Sequence, residues 1–309
     1  MLTVLKNDEI RLNLQEEPTS GCWINVIDPT PEEIARLQEL DIPQDYILYP
    51  LDLDERARTE RENGHLLIVL RIPYFQGEME DVPYTTIPLG IILTDRFLIT
   101  ICRKDNDILR EFASGRVRSL STAKRNRFVL RLLLTTASKY LSYLREITKQ
   151  VDALEDQLQL STRNREVLGL LKYQKSLTYF TTALKQNELM MERLQRSQLF
   201  KTYPEDEDLL EDVLTENQQA IEMTSISSNI LSSMMDAFAS IISNNLNGIM
   251  KFLASMTILM SVPTMIASFY GMNVDLPFAG QPFAFLMVLM VAVGISALAA
   301  FIFWKKDWF

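Results

Sequence analysis

The stretch FLASMTILMSVPTMIASFY at residues 252–270 runs for 19 residues without a charged side chain. A second stretch, FAFLMVLMVAVGISALAAFIFW at residues 283–304, adds 22 more. Each has the length of about 20 residues that a helix needs to cross a hydrocarbon core about 30 Å thick. The alternative interpretation is a buried helical hairpin of a soluble protein. The sequence therefore predicts two membrane-spanning helices near its C-terminal end.

The charges that flank these stretches predict their orientation. Lys251 precedes the first span, and Lys305 and Lys306 follow the second, whereas the connector 271–282 contains no basic residue. Positively charged flanks stay on the cytoplasmic side of a membrane. We therefore expect a multi-pass protein of the cell (inner) membrane, with both termini and the basic tail 305–309 in the cytoplasm and the connector outside.

Small and polar residues recur along the first span at alternating steps of three and four. They are Asn247, Met250, Ala254, Thr257, Ser261, Thr264, Ser268 and Gly271. A period of 3.5 lets copies of one helix pack side by side with this stripe on the shared axis. Hydroxyl groups in hydrocarbon suggest a watery path, although small residues also simply allow close helix packing. Because two spans cannot enclose a pore, a channel requires several subunits.

Composition excludes several other classes of protein. The chain has 309 residues and a net charge of −9, which argues against a nucleic-acid binder. His65 is the only histidine, at the start of an expected strand, and Cys22 and Cys102 lack metal-ligand or disulfide spacing. No glycine-rich phosphate loop is present. We therefore do not expect an enzyme.

Patterning divides the rest of the chain into an α+β part and long helices. Runs rich in β-branched residues predict strands at 22–28, 65–76, 84–94 and 97–103. Apolar residues at three- and four-residue steps then predict helices over 122–160, 164–197 and 206–270, which are long for a compact domain. Residues 161–164 between the first two helices suggest an antiparallel hairpin.

These patterns set the expected domain limits. We assign 1–115 to a cytoplasmic α/β domain, 116–203 to a cytoplasmic helical hairpin, 204–250 to an acidic stalk helix, 251–270 and 283–304 to the two spans, 271–282 to an outer loop and 305–309 to a cytoplasmic tail.

The third predicted helix carries an unusual concentration of acidic residues. Between Lys201 and Lys251 there is no basic residue, but there are nine acidic ones, so this segment accounts for the whole net charge of −9. A solvated acidic face would explain the pattern. Binding of divalent cations would explain it equally well.

The sequence Tyr270-Gly271-Met272-Asn273 at the outer end of the first span resembles the signature of the CorA family of magnesium channels. The acidic stalk, the short outer loop and the basic, aromatic tail strengthen the resemblance, which extends over most of the chain. It implies a homopentameric, funnel-shaped channel with an α+β cytoplasmic domain, long stalk helices and two C-terminal transmembrane helices. It also implies Mg²⁺ influx that is driven by the membrane potential and stopped by cytoplasmic Mg²⁺ bound between subunits.

The resemblance implies roles for residues of the first span. The pore-lining positions are Asn247, Met250, Leu253, Thr257, Ser261 and Thr264, together with Gly271 and Asn273. Gly271, Met272 and Asn273 form the selectivity motif, and we place the gate at Met250 and Leu253. Mg²⁺ dehydrates reluctantly, so a ring of Asn273 carboxamides would hold the ion through its waters. The alternative role of Asn273 is a helix C-cap; Gly271 is expected to end the helix in a left-handed conformation, and Met272 to pack.

The resemblance also places a regulatory metal sensor. Asp212 and Asp236 match acidic stalk positions, whereas the partner position on the neighbouring α/β domain falls at Tyr49. Asp52 and Asp54 lie nearby and are the expected substitutes. The first span departs from the family pattern at Ser261, where a bulky apolar residue is expected, and at Pro263, which lies one place later than expected.

The expected function is therefore that of a Mg²⁺ channel in which Mg²⁺ is both transported and regulatory. Co²⁺ and Ni²⁺ are alternative ions. Zn²⁺ is disfavoured because the spans contain neither thiolate nor imidazole ligands. The alternative from another class is a non-conducting membrane-anchored scaffold, which would have no use for the polar stripe.

Overall fold

The computed structural model describes residues 1–8, 11–117, 120–160, 164–197, 203–274, 281–306 and 308. It divides into two compact units, Met1–Ser233 and Met234–Phe309. The first unit contains a sheet with helices packed on it, and the second contains two apolar helical segments.

The sheet of the first unit has seven strands. They are β1 Leu2–Asp8, β2 Arg11–Gln15, β3 Trp23–Ile27, β4 Arg58–Glu62, β5 His65–Phe75, β6 Tyr84–Leu93 and β7 Leu98–Cys102. Their spatial order is β2-β1-β3-β7-β6-β5-β4. Only β3 and β7 pair in parallel among these strands, and every other neighbouring pair is antiparallel. The strands expected within 22–28, 65–76, 84–94 and 97–103 are all present.

Seven α-helices complete the described fold. They are α1 Pro31–Gln38, α2 Gln44–Leu48, α3 Asp107–Ala113, α4 Arg125–Leu160, α5 Asn164–Arg196, α6 Pro204–Tyr270 and α7 Ala284–Lys305, with a short 3-10 helix at Tyr49–Leu51. The long helices expected from the sequence are present, and α6 continues without a break for 67 residues. The hairpin turn expected at 161–164 lies mostly outside the described residues, which omit 161–163.

Alternation along the strands builds a core on each face of the sheet. In β5, Ile68 and Leu70 belong to the cluster that packs against α3, α4 and the first turns of α6. Leu67 and Val69 belong to the opposite cluster, with α1 and α2. A strand with apolar side chains on both faces must be covered on both sides, which explains the continuous apolar run that predicted β5.

Two glycines are required by the backbone or by a close approach. The β4–β5 turn has Asn63 at φ +50° and Gly64 at φ +82°, which is the left-handed pair that a tight two-residue hairpin needs. Gly90 in β6 lies so close to the 3-10 helix that an added Cβ would be 2.1 Å from Pro50 Cγ. Gly90 therefore lets this helix contact the sheet.

Candidate functional site: the polar stripe and the acidic segments

The structure places the stripe residues on successive turns of one helix. Asn247, Met250, Leu253, Thr257, Ser261 and Thr264 all lie on α6, and all of them are exposed in the single chain. An exposed polar residue in a membrane span needs a partner or a water-filled space. In the single chain these side chains are not covered by α7.

The stripe hydroxyls are bonded to their own helix. Thr257 Oγ1 donates to the Leu253 carbonyl at 2.8 Å, Ser261 Oγ to the Thr257 carbonyl at 2.7 Å, and Thr264 Oγ1 to the Met260 carbonyl at 2.9 Å. Each hydroxyl proton is thereby satisfied without water. The oxygen lone pairs remain available, so the stripe offers acceptors to a cation or to its water shell.

The end of α6 corrects one expectation. Gly271 N–H donates to the carbonyls of Ala267 at 3.0 Å and Ser268 at 3.2 Å, and Met272 N–H donates to Phe269 at 3.2 Å. Gly271 does not have a positive φ, so the expected left-handed conformation is wrong. The helix instead ends by tightening its last turn, which satisfies the terminal carbonyls without a left-handed residue.

In the predicted selectivity motif, the side chains of Met272 and Asn273 are exposed. Backbone amides of Gly271 and Met272 cap the helix, and no hydrogen bond joins the Asn273 carboxamide to the described residues. The packing role expected for Met272 is not seen in the single chain, since its side chain is 53% exposed. Asn273 thus keeps both its oxygen and its amide group available. Its neighbours 275–280 in the outer loop lie outside the described residues.

The predicted inner ring and gate lie beside a surface pocket. Asn247 and Met250 line a cavity of about 490 Å³ together with Lys251 and Trp308. The backbone N–H of Trp308 donates to the Phe303 carbonyl at 3.1 Å, and its ring stacks on the Phe303 ring with the ring centroids 5.3 Å apart. Leu253, the second gate residue, is exposed on the same helix.

The predicted sensor carboxylates do not form a metal site within the described part of one chain. Asp212 and Asp236 are both exposed on α6, and Asp52 and Asp54 are exposed in the segment after the 3-10 helix. The described residues contain no group of three or more His, Cys, Asp or Glu positioned to hold a metal ion.

The acidic segment at 52–55 is nevertheless hydrogen-bonded both within itself and to the sheet. Asp52 Oδ1 accepts the Asp54 N–H at 3.0 Å, which makes a local turn. One nitrogen of the guanidinium of Arg71, a residue of β5, donates to the carbonyls of Leu53 at 2.6 Å and Glu55 at 3.0 Å. Burial lowers the pKa of Arg71, and the nearby carboxylates of the segment act in the opposite direction. The two exposed aspartates thus project from a braced loop.

Arg71 is the residue that the sequence analysis missed. Its other guanidinium nitrogen donates to the Thr86 carbonyl at 2.7 Å and to Thr86 Oγ1 at 2.8 Å. The side chain therefore joins β6 to the acidic segment. A single charge inside the otherwise apolar run 66–75 was the available signal, because a charged residue in a buried strand needs specific partners. Tyr49, in contrast, packs its ring under Arg58 at 4.3 Å.

The two apolar helices are those of a membrane protein rather than of a soluble core. The most apolar 18-residue windows of α6 and α7 have mean hydropathies of 1.7 and 2.7, and only 6% of each window is buried. A core helix of a soluble protein would bury such a surface. The fold is thus that of an α+β domain followed by a long helix and two C-terminal membrane helices.

Comparison with known proteins identifies the family. The family model for CorA-like Mg²⁺ transporter proteins matches residues 19–306. The cobalt/magnesium transport protein CorA of Methanocaldococcus jannaschii is 32% identical, over 93% of this chain and 90% of that protein. The magnesium transport protein CorA of Helicobacter pylori strain 26695 is 24% identical, over 94% and 92% of the two chains. The chain belongs to the CorA family.

Solved structures agree with this assignment. The complete structure of the CorA magnesium transporter from Methanocaldococcus jannaschii superposes with a TM-score of 0.86 at 26% identity, and covers 100% of this chain and 99% of that one. The full-length CmaX protein, at 17% identity, has a TM-score of 0.71 over 98% and 96% of the two chains, which shows a shared fold. The likeness therefore extends over the first unit and both apolar helices.

Proposed function

We propose that the chain transports Mg²⁺ across the cell membrane as a homopentameric channel lined by the first span of each subunit. The printed names of the relatives support Mg²⁺ as the ion, and those of the proteins from Methanocaldococcus jannaschii and Thermotoga maritima support Co²⁺ as a second one. The observation that best supports a channel is the row of exposed hydroxyls of Thr257, Ser261 and Thr264. Their protons are bonded to carbonyls of α6, so their oxygens can accept hydrogen bonds from the waters of an ion.

Several copies of α6 around an axis would bring these acceptor oxygens together. Thr257, Ser261 and Thr264 then form rings of oxygens that contact the waters of a passing ion, as selectivity rings do in other channels. Met250 and Leu253 form an apolar constriction below them, which closes by excluding water. Asn247 supplies a further polar ring at the inner end.

At the outer end of the pore, Asn273 binds the entering Mg²⁺. A neutral carboxamide oxygen contacts the waters of a hydrated Mg²⁺ and holds the ion less tightly than a carboxylate would, so the ion can leave. Inward flow needs no other energy source. A divalent ion that crosses an inside-negative potential of 100 mV gains about 4.6 kcal/mol, twice the value for a single charge.

Asp212 and Asp236 on the stalk and Asp52 and Asp54 on the braced segment serve as the sensor between neighbouring subunits. Facing carboxylates repel one another, and a divalent ion between them removes the repulsion and favours the closed pentamer. Low cytoplasmic Mg²⁺ therefore opens the channel. This proposal places the stalk at 204–250 and both termini in the cytoplasm, and the loop at 271–282 outside.

The test is Mg²⁺ influx into proteoliposomes that contain a Mg²⁺-sensitive dye, at low and high internal Mg²⁺ and a negative potential. Asn273→Ala should abolish influx, whereas the matched control Asn245→Ala, an exposed asparagine of α6 away from the stripe, should not. Asp212→Lys should lose inhibition by internal Mg²⁺, whereas Glu211→Lys, with the same charge change one residue away, should keep it. Absence of influx in the wild type would refute Mg²⁺ transport and favour Co²⁺ or Ni²⁺, then the scaffold.

A further inference from the structure

A groove separates the two helical segments of the second unit. It has a volume of about 430 Å³. Its lining includes Leu259 and Pro263 of α6 and Leu289, Ala292, Val293 and Ser296 of α7. The lining is apolar except for the Ser296 side chain and any backbone groups that the helices leave unpaired.

Pro263 removes the hydrogen-bond donor of one backbone carbonyl in α6. It lies inside α6 and has no N–H, so the carbonyl of Leu259, four residues earlier, does not receive the α-helical hydrogen bond that residue 263 would otherwise donate. In an α-helix that carbonyl points along the axis toward residue 263. Because Leu259 and Pro263 both line the groove, we infer that this carbonyl lies on the groove side of α6. In hydrocarbon such a group costs several kcal/mol unless another donor reaches it.

Ser296 supplies the matching donor. It is the only hydroxyl-bearing residue between 283 and 304. Its Oγ is buried and has no hydrogen-bond partner among the described residues. Serine and threonine hydroxyls in membrane helices commonly bond the carbonyl four residues earlier, as Thr257 and Ser261 of α6 do. The Ser296 hydroxyl, which makes no such bond, lines the groove opposite Pro263.

We propose that Ser296 Oγ donates a hydrogen bond across the groove to the Leu259 carbonyl that Pro263 leaves unpaired. In the described conformation the bond is not made, and it forms when α7 moves against α6. Ala292, one turn before Ser296, has a small side chain that permits the approach. One contact thereby satisfies two polar groups that would otherwise lie unpaired in the membrane.

The inference deepens the proposed function, because it rests on α6 being the pore-lining helix. Ser261 and Thr264 of the stripe lie on either side of Pro263, so the backbone geometry of α6 at the proline sets where their oxygens lie. Ser296 contacts neither the stripe nor the ion. It is a positioning residue that acts from α7 through the Leu259 carbonyl on the backbone of α6 at Pro263.

The test is a double-mutant cycle on the full chain with Ser296→Ala and Pro263→Ala. Alanine at 263 restores the N–H that pairs with Leu259, so the Ser296 hydroxyl should then have no effect. Ser296→Thr keeps the hydroxyl. Gly294→Ala is the matched control on α7, since an added Cβ there meets no atom within 4 Å. Two quantities are measured: equilibrium unfolding in mixed micelles titrated with SDS, and the initial rate of Mg²⁺ uptake.

Ser296→Ala should shift the unfolding equilibrium about threefold, the size of an average hydrogen bond between membrane helices, and change the uptake rate, while Ser296→Thr and Gly294→Ala do neither. In the Pro263→Ala background both effects should disappear. Equal shifts in both backgrounds, or none, would overturn the pairing. A shift in unfolding without a change in uptake would overturn the positioning role. A wild type without uptake would contradict the proposed function, and the unfolding cycle would still decide the pairing.

Discussion

Replacement of Asn187 by leucine tests the contact that holds the first unit together at the sheet edge. Asn187 of α5 is fully buried. Its Oδ1 accepts the Arg71 N–H at 2.9 Å, and its Nδ2 donates to the Arg71 carbonyl at 2.8 Å. The antiparallel β4–β5 pairing ends at Arg58, the first residue of β4, opposite Val69, so Arg71 has no partner on β4. The carboxamide therefore takes the place of a missing strand.

The expected loss follows from what each backbone group retains. Leucine has a similar size, so the change removes the two hydrogen bonds and opens little space. The Arg71 N–H then has no acceptor, whereas its carbonyl keeps the Tyr140 hydroxyl, which donates at 3.0 Å. An orphaned buried donor costs about 1–3 kcal/mol and a lost hydrogen bond about 1 kcal/mol, so Asn187→Leu should cost about 2–4 kcal/mol. Tyr140→Phe alone should cost about 1 kcal/mol.

The assay is thermal unfolding of the purified full chain in detergent, followed by far-ultraviolet circular dichroism. For a unit of this size, 1 kcal/mol lowers Tm by about 2–4 °C, so Asn187→Leu should lower it by about 4–16 °C. The matched control is Lys185→Leu, an exposed position on the same helix, which should change Tm by less than about 2 °C.

The double variant makes the test sharper. With both Asn187 and Tyr140 changed, the Arg71 carbonyl also has no donor. The double variant should therefore lose about 1 kcal/mol more unfolding free energy than the sum of the two single losses. Strict additivity, or a loss in Asn187→Leu no larger than in Lys185→Leu, would refute the reasoning.

Three further predictions concern packing, pH and the stripe. Gly90→Ala should lower the unfolding free energy by about 1–3 kcal/mol, measured by the same melts, because the new Cβ would overlap Pro50; an unchanged Tm would contradict the close approach. The Lys139 ammonium, which bonds Asp107 at 2.8 Å, lowers the pKa of that carboxyl below 3.8. The folded state therefore gains stability above about pH 4, and the Tm difference between wild type and Asp107→Asn should shrink as pH falls below that value; a difference that grows in acid would be contrary to this account. Thr257→Val should slow Mg²⁺ uptake about fivefold, the equivalent of one hydrogen bond to the ion's waters, with Tm within about 2 °C; unchanged uptake would remove Thr257 from the pore.

The elements that the sequence predicted are those with a strong hydrophobic period. The spans, the long helices and the apolar strands β5, β6 and β7 all have one. Strands β1, β2 and β4 were not predicted. β4, with the sequence RTERE, is an edge strand of the described sheet, and an edge strand with charged side chains has no apolar period to detect. Pairing with β5, a tertiary interaction, creates the strand.

The candidate site could be predicted in part for the same reason. A period of 3.5 located the stripe on one helix, since both helix geometry and the stripe are local properties of the sequence. The Arg71 brace was not accessible, because its partners lie on β6, α5 and the segment at 52–55 and meet only in the fold. The left-handed conformation expected for Gly271 was wrong because glycine permits that conformation without requiring it.

The acidic residues of α6 have two roles: two of them form ion pairs within the fold, and the others are available for the proposed regulation. Of its nine acidic residues, Glu205 and Asp206 form ion pairs with Arg127, at 2.7 Å each. The other seven, which include Asp212 and Asp236, form no ion pair within the described part of the chain. In a pentamer their charges would multiply around one axis without a compensating base on the same segment. The stability of the proposed pentamer would then depend on cations from solution, and a divalent ion that bridges two carboxylates would screen their repulsion more effectively than a monovalent ion. The proposed regulation by cytoplasmic Mg²⁺ is supported by these seven carboxylates, which the described part of the chain leaves without an ion pair.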